Sequence, residues 1–199
     1  MHRQSDTFGP SPTPCLQSEY HGAERRFLCE LAHEAIVSRL TERALGPFTP
    51  SEHLSELRGV FTTLYLKGKL RGCVGYPLPL LPLYRAVVEA ATGAAFEDPR
   101  FAPVTLAETR ELRVSLSILS PVRPLRAEEV EIGRHGLLIS QGGQRGLLLP
   151  QVAVEHRWDR LTFLEQTCRK AGLAPDAWCR GATIEGFSAE IFGDQDRAE

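Results

Sequence analysis

No run of apolar residues in this chain is long enough to cross a bilayer. The strongest, Leu78 to Leu83, is short and interrupted by Pro79 and Pro82, whereas a spanning helix needs about 20 consecutive apolar residues. Met1 to Pro10 lacks the apolar core of a secretory signal. The five cysteines, at positions 15, 29, 73, 168 and 179, form no C-x-x-C pair and no zinc-ligand spacing. An odd, scattered set fits reduced thiols in a cytoplasmic protein, not a disulfide framework, and points to no metal. Charge of one sign is missing too: 23 Lys and Arg stand against 25 Asp and Glu, for a net charge of −2. A nucleic-acid binder would concentrate its basic residues in a stripe, so no nucleic-acid partner is expected. Gln141-Gly-Gly-Gln144 lacks the Walker and dinucleotide patterns, and no nucleophile elbow or Ser-His-Asp order is present. Neither a cofactor nor a membrane partner is expected.

What is present suffices for one sizeable domain or two small lobes: 199 residues, 42% of them hydrophobic. Residues 1–20 are polar and carry Pro10, Pro12 and Pro14, which reads as a disordered tail, and residues 194–199 are taken as a C-terminal tail. Between them, 21–193 reads as a single folding unit. Phe27, Leu28, Leu31, Ala35, Ile36 and Leu40 follow helical spacing from Gly22 to Leu45, with Gly46-Pro47 as a stop. Phe61 to Leu66, a turn at Lys67-Gly68-Lys69 and a return from Leu70 make a hairpin. A second helix is expected over about Leu83 to Phe96, ended by Asp98-Pro99. Leu112 to Leu119 reads as a strand with Ser115 and Ser117 on one face. Gly136–Ser140 and Gly146–Leu149 flank a glycine loop, a second hairpin. Asp159 caps a third helix, with Trp158 and Phe163 as its staple and Gly172 as its left-handed stop. Ile184 to Ile191 supplies a last strand. Strand and helix alternate without regular βαβ spacing, so the expected class is α+β, two interlocked lobes around mainly antiparallel sheet with packed helices.

Leu70-Arg-Gly-Cys-Val-Gly75 is the most informative segment. Side chains alternate along a strand, which would put Arg71 and Cys73 on one face and Leu70 and Val74 on the other. Gly72 and Gly75 weaken a strand unless something approaches its backbone closely. A cation beside a thiol favours the nucleophilic thiolate, although a cysteine in a strand is most often a small buried hydrophobe. His135, just before the second hairpin, is a candidate proton carrier for the thiol, or a turn histidine bonded to the backbone. Asp98 and Arg100 form either part of a polar site or a turn cap with its own ion pair. Arg145 at the glycine loop is either a clamp for a carboxylate or phosphate or a solvated hairpin residue, with Gln151 beyond it, and Ser115 and Ser117 are candidates to line the same cleft.

The same segment resembles the hallmark of the AMMECR-type domain family, whose usual form has isoleucine where Val74 stands. The resemblance continues through Pro82-Leu-Tyr84, Ala94 to Phe101, Val114 to Pro121, Glu131 to Gly136, Arg145 to Ala153, Trp158-Asp159 and Cys168 to Leu173, covering about residues 23 to 192. It implies a two-lobed α+β fold with the cysteine motif facing a cleft. It also implies kinship with component A of the AmmeMemoRadiSam set, which accompanies a Memo-type protein and a radical SAM protein. No established reaction comes with the family. Two expectations follow: a cleft thiol, Cys73, that acts on or grips a small polar substrate, or a non-catalytic module that docks a Memo-type or radical SAM partner.

Overall fold

The computed structural model describes residues 18–194, and the remainder of both expected tails, 1–17 and 195–199, lies outside the described residues. The alternating apolar run around Leu64 forms β1 (Val60–Leu66), and the Lys67-Gly68 turn returns the chain as β2 (Lys69–Tyr76). β3 (Leu112–Leu119) pairs antiparallel with the other edge of β1. Val60, Leu64, Val114, Leu116 and Ile118 project from one face of this sheet into the larger core. Helices α1 (Gly22–Leu40) and α2 (Leu83–Phe96) cover that face with Leu28, Ile36, Val87, Ala90 and Ala94. Alanines make α2 narrow enough to come close. A Cβ on Gly72 would stand 2.0 Å from the Ala94 carbonyl oxygen, so only glycine fits where α2 crosses β2.

The second sheet is built from β4 (Arg123–Pro124), β5 (Gly136–Gln141), β6 (Gln144–Leu148) and β7 (Thr183–Phe187), in the order β4-β7-β5-β6. Its core side carries Leu137 and Ile139 against α3 (Pro150–Glu155) and α4 (Arg160–Lys170), with Phe163, Leu164 and Cys168 buried between them. β8 (Ala189–Gly193) then returns to the first sheet, giving the order β2-β1-β3-β8. The chain leaves the first sheet at Ser120 and re-enters it at Ser188. These two are tied by Ser120 N–H to Ser188 O, 2.9 Å, and Ser188 N–H to Ser120 Oγ, 3.0 Å. The lobes are interlocked and both sheets are antiparallel.

Several expectations change. The expected strand from Ile184 to Ile191 is two strands in two sheets, because Ser188 spends its backbone on Ser120 and not on a ladder. α1 stops at Leu40, short of Gly46-Pro47. Thr41 caps it with N–H and Oγ1 bonds to Val37 O, and Glu42 turns the chain at φ 54°. The tail does not extend to residue 20: Tyr20 is 1% exposed, stacked on His53, with Arg58 donating to its hydroxyl at 3.3 Å. Asp194, assigned to the other tail, is buried as well. α3, not expected from the sequence, begins with proline at its first turn, where the missing N–H costs nothing. No helix among the described residues is long and apolar enough to cross a membrane.

Candidate functional site

The hairpin register puts Cys73 opposite Thr63, and β3 puts Ser115 on the far side of Thr63. Thr63 Oγ1 donates to Cys73 Sγ at 3.3 Å, so both side chains stand on the face away from α1 and α2. A parallel row holds Gly75, Phe61, Ser117 and Ile191. Phe61 leans over Gly75, where a Cβ would meet its ring at 2.5 Å. Tyr65 and Ile191, 36% and 55% exposed, mark this face as open, and Cys73 is half-buried within it.

β2 is an edge strand, and side chains satisfy its outward backbone at Cys73. Asp98 Oδ2 accepts the Cys73 N–H at 2.8 Å, and Arg100 Nη2 donates to the Cys73 carbonyl at 3.4 Å. Asp98 also receives the Arg100 N–H, Nε and Nη2. The Arg100 guanidinium holds the buried Asp98 carboxyl well below the usual carboxylate range; burial opposes this, and the Cys73 and Arg100 amides assist it. This arrangement blunts a sheet edge and fixes the backbone that carries the thiol.

Arg71 is not the cation beside the sulfur. A β-bulge pairs Leu64 with Gly72 and Tyr65 with Leu70, leaving Arg71 as the extra residue and breaking the expected alternation from 70 to 74. Its guanidinium holds Glu108 and the carbonyls of Ala102 and Pro103. Arg71, with the Thr105 amide and hydroxyl, pushes the Glu108 carboxyl down to about 2 against a smaller opposing effect of burial.

The structure therefore gathers Cys73, Gly72, Gly75, Asp98, Arg100 and Ser117 on or beneath one patch of β2, β1 and β3. His135, Arg145 and Gln151 belong to the second sheet and its helix α3, and none of the hydrogen bonds or ion pairs of the described residues joins them to Cys73. His135 Nδ1 accepts the Glu131 N–H at 3.1 Å. Burial lowers its pKa, and its Nε2, like Gln151 Oε1, is buried without a hydrogen-bond partner. Arg145 lies in a row with Ser140 and Thr183 around an open depression at the glycine turn. Thr63 and Arg113 escaped the sequence reading. Counting back from the Lys67-Gly68 turn would have put Thr63 near Cys73, but the bulge shifts that count by one residue.

Among the described residues, Glu19, His53 and Glu56 lie close enough to ligate a cation. Arg58 already pairs with both carboxylates, which opposes a second positive charge there.

A half-buried thiol on an antiparallel sheet, its backbone held by buried Asp98 and the exposed Arg100 that pairs with it, sits in an α+β fold of two sheets. The chain belongs to the AMMECR1 family, whose sequence pattern matches residues 29–192. It is 43% identical over 185 residues to Protein MK0488 of Methanopyrus kandleri, covering 87% of this chain and 89% of that one. Protein TK0174 of Thermococcus kodakarensis is 45% identical over 184 residues, with coverage of 85% and 89%. The crystal structure of the uncharacterized protein PH0010 from Pyrococcus horikoshii is similar in fold, with a TM-score of 0.74 at 40% identity, over 86% of this chain and 91% of that one.

Proposed function

We propose that the open face of the first sheet is the working surface of this AMMECR1-family protein, and that Cys73 there engages a small polar substrate through its sulfur. The observation that carries this reading is the Thr63 hydroxyl, which donates to Sγ on the face opposite the one that α2 packs against. The sulfur is half-exposed there, within reach of a ligand arriving from solvent. The Asp98–Arg100 pair keeps the sulfur in place while it reacts, which is what preorganisation of a nucleophile requires. In this reading the protein works in the cytoplasm, as its free cysteines suit. It acts there beside a Memo-type and a radical SAM protein in an AmmeMemoRadiSam-type pathway.

The test is alkylation of the native protein by iodoacetamide near neutral pH, with the modified residue mapped by mass spectrometry. Cys73 is expected to react first, and Cys73→Ser to melt within about 1 °C of the parent, since a half-exposed position carries little packing. A Cys73 that stays unmodified in the folded protein would overturn the reading. The exposed Tyr65 and Ile191 favour a second reading, a docking face for a protein partner. Under that reading Ile191→Asp abolishes co-purification with a Memo-type protein, and Cys73→Ser does not.

A further inference from the structure

The open face continues past Cys73 into a depression of about 280 Å³ lined by Tyr65, Arg113, Ser115, Ile191, Gly193 and Asp194. Arg113 sits opposite Tyr65 on β3, two residues from Ser115, and Ser115 shares the Cys73–Thr63 row. Strands about 4.8 Å apart, rising about 3.3 Å per residue, place the Arg113 Cα about 12 Å from that of Cys73. Two side chains and one small molecule fill such a gap. The positive end of this depression is uncommitted: among the described residues the Arg113 guanidinium makes no hydrogen bond or ion pair, whereas those of Arg71 and Arg100 are both engaged. The one carboxylate lining the depression, Asp194, turns Oδ2 to the Val114 N–H at 2.7 Å and to His33 Nε2 at 2.9 Å. Tyr65 and Ser115 bring hydroxyl donors to the same lining.

From this arrangement we infer that Arg113, with Ser115 and Tyr65, forms the anion-binding end of the Cys73 site, and that the ligand is a small carboxylate carrying an electrophilic carbon. This rests on the reading of Cys73 given above and adds the substrate class. A lone guanidinium fork matches the two oxygens of a carboxylate, and the phenol ring offers a flat apolar wall to the rest of the molecule. Arg113 is a binding and positioning residue: it aims the electrophile at Sγ and takes no part in bond making.

The experiment compares two maleimides, the anionic maleimidopropionate and the neutral N-ethylmaleimide, by mass-spectrometric mapping of the adduct at Cys73 in the intact chain. In each addition the sulfur forms a bond to one alkene carbon, the π bond breaks, and the thiol's proton ends on the neighbouring carbon, so no other reactant is needed. The rate ratio, anionic over neutral, is divided by the same ratio for glutathione. The expected result is a corrected ratio of about ten that falls to near one in Arg113→Gln and returns in part in Arg113→Lys, the factor expected for one charge-assisted contact. The anionic reagent should also saturate. Equal corrected ratios, or a preference that survives Arg113→Gln in a variant with unchanged melting, overturn the inference and leave the Cys73 reading standing. If neither maleimide modifies Cys73, the Cys73 reading falls, and this one with it.

Discussion

Cys73 and Cys168 are the same side chain placed in opposite surroundings. Cys168 is fully buried on α4 among Phe163, Leu164 and Ile139, and burial pushes its thiol pKa up. Cys73 stands half-exposed on an edge strand, with a hydroxyl donating to its sulfur and a charged pair behind its backbone. Apolar packing holds the first region; ion pairs and side-chain bonds to a sheet edge hold much of the second. A cysteine's chemistry is thus set by what the fold stacks on it, since nothing within the residue distinguishes the two.

The sharpest contrast is kinetic. In the native protein Cys73 should be alkylated at least about a thousandfold faster than Cys168, because reaching Cys168 requires an opening whose cost approaches the global stability. In denaturant, peptide mapping should show the two rates converging; similar rates in buffer would break the comparison. Next in size is Gly72→Ala. With the added methyl on the Ala94 carbonyl, α2 must move off β2, and urea unfolding should show a loss of about 2–3 kcal/mol. A loss below about 0.5 kcal/mol would mean that the helix has room to spare.

The smallest effect is selective for acid. Glu108 and Asp98 have depressed native pKa values, so the stability they contribute is present above their ordinary values and lost as the pH falls through the native ones. Below a pH of about 4.5, hydrogen-exchange protection, corrected for the intrinsic rate at each pH, should fall in β2 before it does in α4, and continue to fall toward the Glu108 value of about 2. Glu108→Gln should flatten that pH dependence while lowering stability at neutral pH. Parallel loss of protection in β2 and α4 would show that charge does not distinguish the two regions.

Much of the fold was legible. The alanine-rich α2 runs over Leu83–Phe96, as its Pro82 and Asp98-Pro99 punctuation indicates. Asp159 caps α4, and Gly172 ends it at φ 76° with Leu173 N–H on Cys168 O. These are local signals, decided by backbone preferences within a few residues. The Ile184 to Ile191 pattern gave no warning of its break, because both halves alternate in the same way and the choice of sheet depends on Ser120, far away in the chain. Arg71 illustrates the same limit at the candidate site. Alternation pointed it at the thiol, and a bulge, which leaves no mark in the letters, sent it to Glu108.

By itself, the sequence determined α2 and α4 with their ends, the two hairpins, the α+β class and the segment that carries Cys73, since periodicity and capping act over short distances. Only the tertiary structure decided which partners those elements meet: Thr63 and Arg100 beside Cys73, Arg113 on the same open face, His135 and Arg145 on the other sheet. Strand register, bulges and the return of β8 arise from contacts between residues distant in the chain, and no local pattern encodes them.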